Sequence, residues 1–110
     1  MLVRLSDLSA PRQALIRLCQ FTNYGQIQSF EIRDCDPVLT PTPSVLVELK
    51  LDGDEEPRLE VGLADFIVRA EICQLLAHFD ELKNGSIERI EVRGGIPRRV
   101  ILKAPLEAWR

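Results

Sequence analysis

The sequence predicts an α+β domain: a duplicated helix–strand–strand unit whose strands form a mainly antiparallel four-stranded sheet, with both helices on one face. Three observations predict it. Two segments place apolar residues at helical spacing, others alternate apolar and polar side chains, and the chain matches itself when shifted by sixty positions. With 110 residues the chain has the size of one domain, 1–110. Its 45% hydrophobic content can build a core, and a net charge of −3 is far from the composition of a disordered chain. No apolar run approaches the ~18–20 residues of a membrane-spanning helix.

The first helix opens at Ser9, a capping residue, with Pro11 in the first turn, where a missing N–H is no loss. Leu8, Leu15, Ile16, Cys19 and Thr22 share one side, flanked by Leu18 and Phe21, and Gly25 is expected to supply the left-handed stop. Residues 27–33 then read as a strand, and 34–37 as a turn. Two prolines, Pro41 and Pro43, cannot sit in a central strand, so 40–43 is a detour before the next strand or the end of a short one. Val45, Val47, Leu49 and Leu51 alternate with Leu46, Glu48 and Lys50, which predicts a strand over 45–51 with its odd residues facing the helices. Residues 52–58 form a polar loop.

The second helix is predicted over 63–82. Val68, Ile72, Leu75, Leu76, Phe79 and Leu82 follow the spacing of a core stripe. A second row, Phe66, Ala70, Cys73 and Ala77, is small enough for a helix or a partner to approach closely. Gly85 is the expected cap. Residues 87–93 repeat the earlier strand, Gly94 and Gly95 make a hairpin turn, and 98–103 returns. Phe30, Ile32, Ile90, Val92, Val100 and Leu102 are expected to point at the helices.

At the offset of sixty, Ala10 falls on Ala70, Leu15 on Leu75, Gly25 on Gly85, Ile27 on Ile87, Glu31 on Glu91, Arg33 on Arg93 and Pro37 on Pro97. The two units are therefore drawn at 9–51 and 63–103. They differ at 40–43, which has no counterpart in the second. Each unit resembles the short bacterial YezD-like proteins, an uncharacterised family. The matching stretches are Tyr24-Gly25-Gln26-Ile27 through Asp34, and Asn84-Gly85-Ser86-Ile87 through Gly95. Tyr24 becomes Asn84 in the second unit, and Cys35 with Asp36 replaces the usual turn glycine in the first. The resemblance covers about half the chain. It implies an architecture and assigns no catalytic residue or cofactor.

Charge and motifs narrow the function classes. Fourteen Lys and Arg against seventeen Asp and Glu is not the balance of a generic nucleic-acid binder. Cys19, Cys35 and Cys73 have neither disulfide nor metal spacing. Cys19 and Cys73 are expected to be buried, and Cys35 to be an exposed thiol in a turn. The lone His78 has no second histidine to bind a metal with, and Asp52, Asp54, Glu55 and Glu56 lack the calcium-loop spacing. Gly94 and Gly95 lead into a strand rather than the helix a phosphate cradle needs. No nucleophile elbow or P-loop occurs. An enzyme is not expected, nor a metal, a cofactor or an identifiable small-molecule substrate.

The primary expectation is a protein-interaction or self-association module, binding a protein partner or a second copy through Phe66, Ala70, Cys73, Ala77 and Trp109 and through free strand edges. The alternative is a nucleic-acid-binding regulator using Arg33, Arg89, Arg93, Arg98, Arg99 and Lys103. That set is interleaved with Glu31, Glu88 and Glu91, and it lacks the exposed aromatics on which bases stack. Glu31 and Glu91 are expected to pair with Arg33 and Arg93 across strands. The N-terminal residues carry no apolar signal-peptide core, so a cytoplasmic location is the default expectation.

Overall fold

Backbone satisfaction at the helix ends sets the frame on which the sheet is built. The computed structural model describes residues 2–53 and 59–103. Helix α1 spans Ala10–Thr22 and helix α2 spans Ala70–Leu82. Ser9 caps α1, its hydroxyl accepting from the Arg12 N–H at 3.4 Å. The face of α1 that turns inward carries Leu15, Ile16, Cys19 and Thr22. In α2 the buried side chains are Ile72, Leu75, Leu76 and Phe79. Fully enclosing a side chain such as Phe79 contributes about 1.5–3 kcal/mol by transfer out of water.

Two boundaries differ from the sequence expectation. Residues 63–69 are not helical. Leu5 donates its N–H to the Phe66 carbonyl at 2.9 Å, Val68 donates to Val3 at 2.7 Å, and Ile67 bridges Arg4. Phe66 and Val68 are buried while Ile67 is exposed, the period of two that belongs to extended chain. The caps differ as well: Asn23 (φ 59°, ψ −63°) and Lys83 (φ 63°, ψ −56°) take the positive φ, and the glycines two positions on enter the strands.

Five antiparallel strands follow: β1 Tyr24–Arg33, β2 Asp36–Val38, β3 Ser44–Val47, β4 Gly85–Arg93 and β5 Ile96–Lys103. The order is β2-β1-β4-β5, with β3 also on β1. β2 pairs with residues 31–33 of β1 and β3 with 25–28, so the two form one interrupted edge strand. The interruption contains Pro41 and Pro43. The sheet is thus in essence four-stranded, with both helices on one face.

In β1 the buried residues are Ile27, Phe30 and Ile32, and in β4 they are Ile87, Ile90 and Val92. A simple alternation would put Ile27 and Ile87 on the wet face. Ser29 has φ 61°, which resets the alternation and turns Ile27 and Phe30 to the same side. Ile27 then faces Ile90, and Phe30 faces Ile87.

The predicted strand over 45–51 ends early. Glu48 donates to the Tyr24 carbonyl at 2.7 Å, and β1 begins at Tyr24, so residues beyond have no ladder to join. Val45 packs on the core, but Val47, Leu49 and Leu51 are exposed rather than turned to the helices. Val100 and Leu102 pack against the core as expected.

The halves share several details. Asp34 and Cys35 (φ 51° and 70°) and Gly94 and Gly95 (φ 62° and 76°) form two-residue hairpin turns with both φ positive. The Cys35 N–H donates to the Lys83 carbonyl at 2.8 Å, and the Gly95 N–H to the Asn23 carbonyl at 2.9 Å. Each hairpin turn therefore rests on the cap of the helix from the other half.

Gly25 marks the tightest backbone approach. A Cβ there would lie 1.9 Å from the Leu46 carbonyl oxygen, at φ 153°. Gly25→Ala is expected to destabilise the fold by about 3 kcal/mol through displacement of β3. Urea unfolding followed by circular dichroism measures this, and an unchanged midpoint would contradict the β1–β3 contact.

Candidate interaction surfaces

The helix side of the molecule is fastened by two half-buried arginines that the sequence reading passed over. Arg12 donates from Nε to Asp36 at 3.2 Å, from Nη2 to the Cys35 carbonyl at 2.8 Å, and to Asp80 of α2. Ser9 Oγ also donates to Asp36, at 2.8 Å. Arg17 bonds Gln20 at 2.8 Å and the Glu60 carbonyl at 3.2 Å, and also reaches the Leu63 carbonyl. Its guanidinium lies 5.3 Å from the centroid of the Phe66 ring. A polar residue on the edge of an apolar helical stripe was the available signal for both. Their role is to hold the hairpin turn and the 59–66 connection against α1.

That placement revises the expected contact row. Phe66 is buried beneath Arg17 and outside any helix, so it offers nothing to a partner. Ala70 and Ala77 are exposed on α2, and Cys73 is half-buried against the core. The four do not form a continuous helical row. Trp109 lies outside the described residues.

The six basic residues are spread out rather than gathered. Arg33 ends β1, whereas Arg93 faces Tyr24 at the start of β1, so they stand at opposite ends of the sheet. Arg33 pairs with Glu31 at 3.2 Å, Arg89 with Glu91 at 3.3 Å, Arg98 with Glu71 at 2.9 Å and Lys103 with Glu88 at 3.4 Å. Glu31 and Arg33 pair along one strand, not across strands, and Glu91 takes Arg89 rather than Arg93. Arg93 and Arg99 have no carboxylate partner among the described residues. Such exposed pairs are each worth little, but they set a carboxylate beside four of the six cations that a phosphate backbone would need.

Among the described residues, no three His, Cys, Asp or Glu side chains are placed to hold a metal ion. His78 is exposed, 4.0 Å from Glu81. The acidic loop is described only as far as Gly53. No described helix is long and apolar enough to cross a membrane. An open groove of about 580 Å³ runs between α1 and β2 over Pro11, Ala14, Pro37 and Leu39. The Asp36 carboxylate on its border is already engaged by Ser9 and Arg12.

Exposed apolar side chains occur singly at Leu2 and Phe21 and around 61–67, and in one run at a sheet edge. Leu46 is 51% exposed, Val47 46%, Leu49 74% and Leu51 96%. They occupy the end of β3 and its continuation, a sheet edge whose outer side has no partner among the described residues. Their regular alternation concealed this, because alternation is the same whether the apolar face is covered or bare. Comparison with known families, curated proteins and solved structures finds no match to this chain.

Of the three thiols, Cys19 is closed to chemistry. Burial pushes it up to about 12 from its ordinary 9.0. A disulfide reagent at about pH 8 is expected to modify Cys35 and leave Cys19 untouched until denaturant is added. The folded value lies above the unfolded one, so the stability this thiol contributes is complete below 9.0 and is lost as pH rises toward about 12. Peptide mass mapping after labelling checks the first statement. Labelling of Cys19 in native protein would contradict its burial.

Proposed function

We propose that this chain is a non-enzymatic association module, made of two tandem helix–hairpin units, whose task is to pair with another protein chain. The observation that carries the reading is the bare apolar edge: Leu46 and Val47 stand exposed on β3, whose outer side is open among the described residues, and Leu49 and Leu51 on the segment that continues it. Soluble domains ordinarily blunt such edges with charge, proline or a covering element. This one is left open to a partner strand or an apolar surface.

The tandem reading is supported by backbone detail. The helices start and end sixty positions apart, at Ala10–Thr22 and Ala70–Leu82. The β1–β4 register also maps onto itself at that offset: Gly25↔Val92 goes to Ile32↔Gly85, and Gln26↔Glu91 to Glu31↔Ser86. The crossed bonds from each hairpin turn to the opposite helix cap obey the same relation. In this reading each half corresponds to one short YezD-like unit, and the two meet about a pseudo-twofold axis through the β1–β4 pair. The ion-paired open sheet face serves solubility, and the β3 edge serves recognition.

A photo-crosslinking amino acid placed at Leu49 tests the reading in cells that express the protein. Adducts to a protein are expected from position 49 and not from His78, a similarly exposed position on α2. Absence of adducts at 49, or equal yields from both positions, would overturn the reading.

A further inference from the structure

The open edge has a sequence feature that selects its occupant. We propose that residues 47–51 pair antiparallel with the same residues of a second copy of this chain, in a register centred on Leu49. The inference rests on the association reading above and adds the identity of the partner and the alignment of the strands.

The charge pattern points to this occupant. A strand paired antiparallel with itself about one residue sets the position before the centre opposite the position after it in the partner. With Leu49 at the centre, Glu48 of each copy faces Lys50 of the other, giving two opposite-charge pairs across the ribbon. Neither Glu48 nor Lys50 has an ion-pair partner among the described residues. The same register sets Val47 against Leu51, and Leu49 against Leu49. Three exposed apolar side chains per copy thereby join on one face. A shift by one residue would put Glu48 opposite Leu49 and break both patterns.

The backbone leaves room for it. Glu48 donates its N–H to Tyr24, and residues 49–51 continue past the start of β1 without a ladder partner. No proline interrupts 45–51, Lys50 is its only cation, and the chain bends only from Leu51 onward. The contact is isologous: one patch serves both copies, and the assembly closes at two. The ribbon overhangs each sheet, so the dimer forms without disturbing the β1–β3 pairing.

Sedimentation equilibrium of the purified full chain and three variants is the test. Wild type is expected to show a concentration-dependent monomer–dimer equilibrium. Glu48→Lys or Lys50→Glu alone places like charges opposite each other twice and is expected to weaken dimerisation about tenfold. The double exchange Glu48→Lys/Lys50→Glu restores the opposite-charge pairs and is expected to return the affinity to within about threefold of wild type. Both positions are exposed, and circular dichroism verifies that each variant keeps its fold. A dimer indifferent to the single reversals, or not recovered by the exchange, would overturn the register. A protein that stays monomeric up to ~200 µM would overturn the second copy as partner. Crosslinks from position 49 to some other protein would then leave the broader association reading standing.

Discussion

The antiparallel pair β1–β4 is the constraint on which the rest of this structure depends. Ile27 faces Ile90 and Phe30 faces Ile87 at its centre, and all four are sealed from solvent. Each strand leaves a helix cap one or two residues earlier, so fixing this pair also fixes where α1 and α2 can lie. The crossed bonds from Cys35 to the Lys83 carbonyl and from Gly95 to the Asn23 carbonyl then tie each hairpin to the opposite helix. The halves therefore cannot separate without breaking the central ladder, the shared core and both caps together. Arg12 adds a polar fastening by joining the first hairpin turn to Asp80 of α2.

Local chemistry made much of this readable from the sequence. Ser9 with Pro11 announces the start of α1, Gly94 with Gly95 announces a tight hairpin, and the prolines at 41 and 43 announce a break in the edge strand. What failed to show depended on backbone strain or on distant partners. The positive φ of Ser29 cannot be inferred from alternation, although apolar residues three apart at Ile27/Phe30 were its trace. The same spacing at Ile87/Ile90 goes with a register shift of β4 against β5 between Ile87 and Arg89. The glycines misled at both helix ends because Asn23 and Lys83 bear the positive φ instead. Gly25 is needed one step later, where the Leu46 carbonyl passes over it.

The surface was less legible than the fold, for a physical reason. Whether Leu49 and Leu51 are covered depends on how far β1 extends, which is not a property of their own segment. Phe66 shows the converse. Its spacing to Ala70 and Cys73 suggested a helical row, while its spacing to Val68 carried the strand period that won. The basic residues show how neighbouring carboxylates qualify a charge pattern: Arg33, Arg89, Arg98 and Lys103 each have an acid within ion-pair distance. The resulting contrast is between a polar sheet face on which most cations are ion-paired and an apolar overhang at one corner of the sheet.

Hydrogen–deuterium exchange on the intact chain, in dilute and in concentrated solution, tests this account most directly. Amides of β1 and β4 should be the slowest at both concentrations, because they open only when both halves come apart. Amides of residues 49–51 should exchange freely in dilute protein and slow as concentration rises. Protection of 49–51 in dilute solution, or none at any concentration, would contradict the open edge as the site where a second copy pairs.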